Sequence, residues 1–166
     1  MGCILILLNL ANANGIKEEI MYTKYNAENV LIEVEKKIDK LTRYGGKFRI
    51  GDVCDELSIF DWWPEYIGVS HLKDMRKFLK EAIKLGYAGY VCFKVGASGC
   101  ANGMWAHKEN STDGYSPDGP CLYKSFTPDY NCWEVNFGDG FDEKAFNTIH
   151  TIKDLETYIK NHKEKN

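Results

Sequence analysis

Two stretches in which apolar residues recur at helical spacing, each followed by glycine, constrain the fold of this chain more than any other feature. The first covers Asn26–Tyr44, with Asn26 as its cap, and is followed by Gly45–Gly46. The second covers about His71–Leu85, with Ser70 as its predicted cap and Gly86 as its end. Since residues at this spacing share one side of a helix, each predicted helix must bury its apolar side against another element.

Short segments rich in β-branched and aromatic residues, separated by turn residues, predict strands. They are Lys47–Ile50, Tyr90–Val95, Met104–Lys108, Cys121–Phe126, Cys132–Phe137 and Phe146–His150. Asp52–Leu57 is predicted to form a short helix, and Ile59–Gly68 an aromatic-rich loop. Thr151 and Asp154 have the spacing of a capping box, which predicts a last helix to about Lys160. The elements together predict an α+β fold: an antiparallel sheet with an N-terminal helix, a central helix pair and a C-terminal helix.

The order of the elements over residues 26–108 is helix, short strand, short helix, long helix, strand, glycine-rich loop and strand. This order, with Lys80–Tyr87 at the end of the long helix, resembles the winged-helix class of DNA-binding domains. The resemblance implies that the central pair is winged-helix-like and that its long helix enters the major groove. The glycine-rich loop Gly96–Gly103 carries no Lys or Arg, which counts against DNA binding. A winged-helix transcriptional regulator is therefore an alternative hypothesis, with these candidate DNA contacts: Lys73, Arg76, Lys77 and Lys80.

Charge is distributed unevenly along the chain. Residues 109–143 contain eight acidic residues and one basic residue, a net charge of −7, whereas the whole chain has a net charge of −3. The same stretch contains seven aromatic residues, and acids among exposed rings complement a basic protein groove, because charge steers the approach and rings supply buried area. The alternative is that acidic turns join strands whose rings form the core. The predicted partner-binding residues are Glu109, Asp113, Tyr115, Asp118, Asp129, Tyr130 and Trp133.

The length of 166 residues fits one domain, which we place at residues 21–166. Residues 1–20 are predicted to be a leader or a flexible arm, because the codons for Lys17–Glu19 can form a purine-rich ribosome-binding sequence before Met21. Within the domain we distinguish a winged-helix-like half, an acidic aromatic lobe, and a C-terminal strand and helix, at residues 26–108, 109–143 and 144–166.

The small size, the acidic aromatic lobe and the bacterial type of leader resemble small inhibitors carried by phages and mobile elements, among them the anti-CRISPR proteins. The resemblance implies a non-enzymatic DNA mimic that binds a basic, nucleic-acid-handling protein, such as a CRISPR nuclease, in the cytoplasm of a bacterial host. No apolar run approaches the roughly 18 residues of a membrane helix, so no membrane partner is expected.

Cysteine and histidine spacing predicts neither a metal site nor a catalytic set. No Cys-x-x-Cys pair occurs, and no two His have the spacing of metal ligands, so we expect no metal and no cofactor. Cys92, Cys121 and Cys132 fall in predicted strands and are expected to be small buried apolar residues. A thiol-dependent enzyme is the remaining alternative, with Cys100 in the glycine-rich loop as nucleophile and His107 on the next strand as base.

Overall fold

The computed structural model of this chain describes residues 26–46, 48–49, 66–67, 69–95, 101–109 and 119–166. These residues form three helices and a four-stranded antiparallel sheet, so the predicted α+β class is confirmed, with its N-terminal, central and C-terminal helices. The predicted leader at residues 1–20 and the predicted short helix Asp52–Leu57 lie outside the described residues.

The first helix, α1, runs over Ala27–Tyr44 and has the predicted cap. The Asn26 side-chain oxygen accepts a hydrogen bond from the Asn29 N–H at 2.9 Å, which satisfies one of the free donors of the first turn. The helix ends where Gly45 takes a φ of 70°, a backbone conformation that favours glycine, and donates its N–H to the Leu41 carbonyl. Its buried side chains are Ala27, Val30, Val34, Ile38 and Leu41.

Two short strands precede the central helix. β1 is Phe48–Arg49 and pairs antiparallel with β2, Tyr66–Ile67. The first falls within the predicted strand Lys47–Ile50, but the prediction that all of Ile59–Gly68 forms a loop is wrong at β2. The pairing brings together segments far apart in the sequence, and such non-local contacts are not encoded in local patterns.

The central helix, α2, runs over Val69–Lys84 and packs against α1. The prediction that Ser70 caps it is wrong, because Ser70 lies inside its first turn. The chain enters the helix almost directly from β2, which ends at Ile67, so the first turn starts earlier than the sequence suggests. Gly86 ends the helix as predicted, with a φ of 86°. The apolar side is buried through Leu72, Met75, Phe78, Leu79 and Ala82.

The main sheet consists of four neighbouring strands in chain order: β3 Val91–Val95, β4 Ala101–His107, β5 Cys121–Ser125 and β6 Trp133–Asn136. β4 begins three residues before the predicted start at Met104, because the small residues assigned to the glycine-rich loop continue the strand. Gly103 has a specific role there, since a Cβ atom at this position would overlap the Tyr123 ring. Glycine inside a strand marks such a close approach.

The predicted last strand, Phe146–His150, is wrong. A 3-10 helix at Glu143–Ala145 and a turn precede Ile149, which makes an isolated bridge to Trp133. Asn147 has a φ of 54°, and a residue in the left-handed region cannot continue an extended strand. The segment therefore crosses the edge of the sheet at β6 without joining it as a strand.

The last helix, α3, runs over Ile152–Lys165 and starts with the predicted capping box between Thr151 and Asp154. The hydrogen bond to Thr151 lowers the pKa of the Asp154 carboxyl. The helix continues five residues beyond the predicted end at Lys160, and its added turn contains His162, whose ring stacks on Phe137 with centroids 3.5 Å apart. This tertiary contact holds a turn that the sequence pattern alone does not indicate.

Gly89 lies where the start of α1 meets the β3–β4 hairpin. Its carbonyl accepts a hydrogen bond from the Ala27 N–H at 2.9 Å, and its own N–H donates to the His107 carbonyl at 2.8 Å. A Cβ atom at Gly89 would overlap the backbone carbonyl of Glu109. Because the colliding group is backbone, no side-chain rotation can relieve the overlap.

We expect Gly89→Ala to lower the free energy of unfolding by about 2 kcal/mol, within the usual cost of overpacking. Equilibrium unfolding in urea measures this loss as a lower midpoint. A variant as stable as the wild-type protein would contradict the close approach between Gly89 and Glu109.

Candidate protein-binding surface

An exposed pair of aromatic rings lies at the edge of the sheet formed by β6. Tyr130 is 50% exposed and Phe146 is 52% exposed, and their ring centroids lie 6.0 Å apart at an angle of 35°. The contact is within the range of favourable aromatic pairs. Large apolar side chains exposed next to each other differ from single exposed ones, because a continuous patch is a common mark of an interaction site.

Local backbone structure fixes the position of Tyr130. Pro128 starts a 3-10 helix at Pro128–Tyr130, and the Tyr130 N–H donates to the Thr127 carbonyl at 3.0 Å. The next residue but one, Cys132, is buried and donates its N–H to the Tyr130 carbonyl at 2.8 Å. The turn is therefore anchored to the core directly after Tyr130, and this anchor fixes the backbone that carries the exposed ring.

A second turn fixes Phe146. The Asp142 carboxylate accepts a hydrogen bond from the Lys144 N–H at 3.0 Å and so caps the 3-10 helix Glu143–Ala145. The Phe146 N–H donates to the Glu143 carbonyl at 3.3 Å. Two separate segments of the chain thus bring the two rings together.

Acidic side chains accompany the rings along this edge. We call the set the acidic edge: Asp129, Asp142 and Glu143, together with Tyr130 and Phe146. All three acids are exposed, and among the described side chains none of them forms an ion pair. Asp142 also accepts a hydrogen bond from the Tyr158 hydroxyl at 3.3 Å. Burial, and then the negative charge of Asp142, raises the pKa of that hydroxyl, so its proton stays in place at neutral pH.

The structure brings together only part of the predicted partner-binding set. Asp129 and Tyr130 lie side by side and exposed. Glu109 is exposed too, but it lies at the other end of the sheet. It follows His107, which pairs with Cys121 at the start of β5, whereas Tyr130 comes after the last residue of β5. Asp113, Tyr115 and Asp118 lie outside the described residues.

Trp133 is wrong as a partner contact. Its side chain is only 2% exposed and belongs to the hydrophobic core, where its ring stacks on Phe78 with centroids 5.7 Å apart. The alternation along β6 explains the burial, since Trp133 and Val135 are buried whereas Glu134 between them is partly exposed. Phe146, which falls in the predicted strand Phe146–His150, is an exposed aromatic residue that the sequence pattern does not indicate as a partner contact.

The basic side of α2 presents Lys73, Lys77 and Lys80 to solvent and leaves Arg76 half-buried. Lys80 is paired with Glu35 of α1 at 3.1 Å. Lys84, one turn further on, contacts Glu156 of α3 at 2.5 Å and Glu81 at 3.6 Å. Carboxylates therefore balance the charge at the C-terminal end of this helix, which leaves Lys73 and Lys77 as the exposed lysines for the alternative of DNA binding.

The three described cysteines are buried and none of them is in a disulfide bond, and their burial is as predicted for Cys92, Cys121 and Cys132. The sequence did not indicate that Cys92 Sγ lies 3.9 Å from His107 Nε2. Burial raises the pKa of the Cys92 thiol and lowers the pKa of His107 to about 4, so both groups are neutral at pH 7. A reactive cysteine needs a thiolate, which this environment disfavours. Cys100, the predicted nucleophile of the enzyme hypothesis, lies outside the described residues.

In the described part of the chain, no helix is long and apolar enough to span a membrane, and no group of three or more His, Cys, Asp or Glu side chains is arranged to hold a metal ion. Comparison with protein-family models, with curated proteins and with solved structures gave no significant match. The resemblances to winged-helix domains and to anti-CRISPR proteins accordingly stay predictions.

Proposed function

We propose that this chain is a non-enzymatic inhibitor that binds a basic, nucleic-acid-handling protein through the acidic edge, as an anti-CRISPR protein binds a CRISPR nuclease. The proposal places it in the cytoplasm of a bacterial host. The observation that carries it is the pair of exposed rings, Tyr130 and Phe146, beside acids that have no ion-pair partner among the described side chains.

Charge complementarity selects the kind of partner. Exposed acids attract a positively charged surface and raise the association rate. Proteins that handle nucleic acids have such surfaces, because neutralising phosphates requires clustered Lys and Arg. Their grooves also accept stacked bases on aromatic platforms, so exposed rings such as Tyr130 can occupy the same places. An acidic edge with two rings thus supplies both features of a single strand: negative charge and flat apolar groups.

The experiment is affinity capture of partners from a bacterial lysate with the tagged protein, identification by mass spectrometry, and kinetic measurement with the purified partner. We expect Asp129→Lys with Glu143→Lys to slow association about tenfold at low salt, because steering by charge is lost. The matched control is Glu28→Lys with Glu164→Lys, which changes the net charge equally at exposed positions of α1 and α3.

Truncation of the rings tests the same surface through the dissociation rate. Tyr130→Ala and Phe146→Ala should each speed dissociation about tenfold or more, because aromatic anchors carry much of the binding energy of an interface. Replacement of Lys73, Arg76 and Lys77 by Glu should change the dissociation rate of the partner less than either ring truncation does. The opposite ranking, or retention of duplex DNA that these helix variants abolish, would return the function to α2 and favour the winged-helix hypothesis.

A further inference from the structure

A cavity of about 330 Å³ opens between α2, the β5–β6 hairpin and the start of α3. Its polar lining comes from four separate segments: Asp74 and Lys77 on α2, Lys124 on β5, Asn131 in the turn, and His150 and Thr151 before α3. Trp133 and Phe78 form its apolar base. The volume falls at the lower end of the range for small-molecule sites.

Lys124 is the most enclosed cation of the cavity. Its ammonium group donates a hydrogen bond to the Asn131 side-chain oxygen and lies 5.5 Å from the centre of the Trp133 ring. These contacts hold the charged group in one place at the cavity wall. An ordered ammonium group loses less conformational entropy on binding an anion than a free surface lysine does.

Lys77 on α2 adds a second positive charge to the lining of the cavity. Both lysines line the cavity, and burial lowers the pKa of Lys124, which the positive charge of Lys77 also lowers. Asp74 is the one acid of the lining, and it also acts on Lys124. With one acid against two lysines, the cavity carries a net positive charge that a bound anion would compensate.

His150 supplies a further polar group of fixed orientation. Its Nδ1 lies 3.3 Å from the Asn131 carbonyl oxygen. Because a carbonyl can only accept, Nδ1 carries the proton in this hydrogen bond. Asn131 therefore contacts both Lys124 and His150, and one residue of the turn organises the polar side of the cavity.

We propose that this cavity is a binding site for a small phosphate monoester, with the phosphate between Lys77 and Lys124 and the organic part against Phe126 and Ile152. Two lysines facing one cavity match a dianion better than a single carboxylate, and lysine binds phosphate as a point charge. Trp133 is too deeply buried to stack on a ligand ring, which directs the organic part to the partly exposed apolar side chains at the rim. The site is independent of the proposed inhibitor function.

Isothermal titration calorimetry of the full chain with phenyl phosphate, inorganic phosphate and benzoate tests the proposal. We expect saturable binding of phenyl phosphate at millimolar concentrations. Inorganic phosphate should bind more weakly because it lacks the organic part, and benzoate should bind more weakly because it carries a single negative charge. Lys124→Met and Lys77→Met should each weaken phenyl phosphate binding about tenfold, since each removes a charge-assisted contact. Asp74→Asn should tighten it several-fold, because the one repelling charge of the lining is removed.

Lys73→Met is the matched control, since this exposed lysine lies one turn before Lys77 and does not line the cavity. The affinity of this variant for phenyl phosphate should equal that of the wild-type protein. Lys77 is exposed, so its variant is expected to fold even if the change at the half-buried Lys124 prevents folding. Failure of phenyl phosphate to bind, binding that neither lysine variant weakens, or tighter binding of benzoate would each overturn the assignment.

Discussion

Trp133→Ala is expected to lower the free energy of unfolding by about 3–5 kcal/mol, the usual cost of removing a large aromatic side chain from a core. The ring is nearly fully buried, stacks on Phe78 and is covered by the Lys124 ammonium group. Since a domain has a total stability of only about 5–15 kcal/mol, the loss should be visible as a large decrease in the denaturation midpoint. Equilibrium unfolding in guanidinium chloride measures it.

Tyr130→Ala is the control for this prediction, because Tyr130 lies three residues away and is half exposed. Tyr130→Ala should lower the free energy of unfolding by less than about 1 kcal/mol, as substitutions at most surface positions do. If Trp133→Ala left stability unchanged while Tyr130→Ala lowered it, the assignment of core and surface along this segment would be reversed. The pair of variants thus separates packing from partner binding at positions only three residues apart.

Local patterns predicted most of the elements in this chain, because each leaves its mark within a few residues. The side chain of Asn26 before an apolar stripe, the glycines after α1 and α2, and the capping box at Thr151 all act through contacts inside one turn. The strands β3, β5 and β6 were found for the same reason. Their composition and the turns between them are short-range features.

The errors fall where distant contacts decide the local structure. Near the start of β4, the Tyr123 ring occupies the space beside Gly103, so the strand there takes a residue without a side chain. The last turn of α3 depends on Phe137, and β2 depends on its pairing with β1. None of these partners lies near in the sequence, so propensity alone assigns the segments to loops or ends them early.

The candidate surface could be predicted only in part, for a related reason. Acid content marked the stretch, and Asp129 and Tyr130 are exposed within it. Composition does not indicate which rings are buried and which are exposed. That distinction follows from the alternation along β6, which buries Trp133. The pairing of Phe146 with Tyr130, and the position of Lys77 and Lys124 in the lining of one cavity, arise only when separate segments pack together.

The stability of the protein is expected to decrease by about 3 kcal/mol as the pH falls from about 6.5 to about 4, owing to His107 alone. The side chain is only 3% exposed, and burial lowers its pKa to about 4 in the folded protein. In the unfolded chain the pKa of histidine is about 6.5. Between these values the unfolded state binds a proton that the folded state does not, so acid favours unfolding. Above pH 6.5 His107 is neutral in both states and has no effect on the pH dependence.

Chemical unfolding at a series of pH values measures this loss, and His107→Gln should reduce it by about 3 kcal/mol because the amide does not titrate. Cys92→Ala is the matched control. It removes the sulfur that lies 3.9 Å from His107 Nε2 but keeps the imidazole buried, so the loss in acid should persist. An imidazole of His107 that titrates near pH 6.5 by NMR in the folded protein would contradict the prediction, because burial would then impose no penalty on its charge. Loss of the pH dependence in Cys92→Ala would assign the effect to the thiol contact instead.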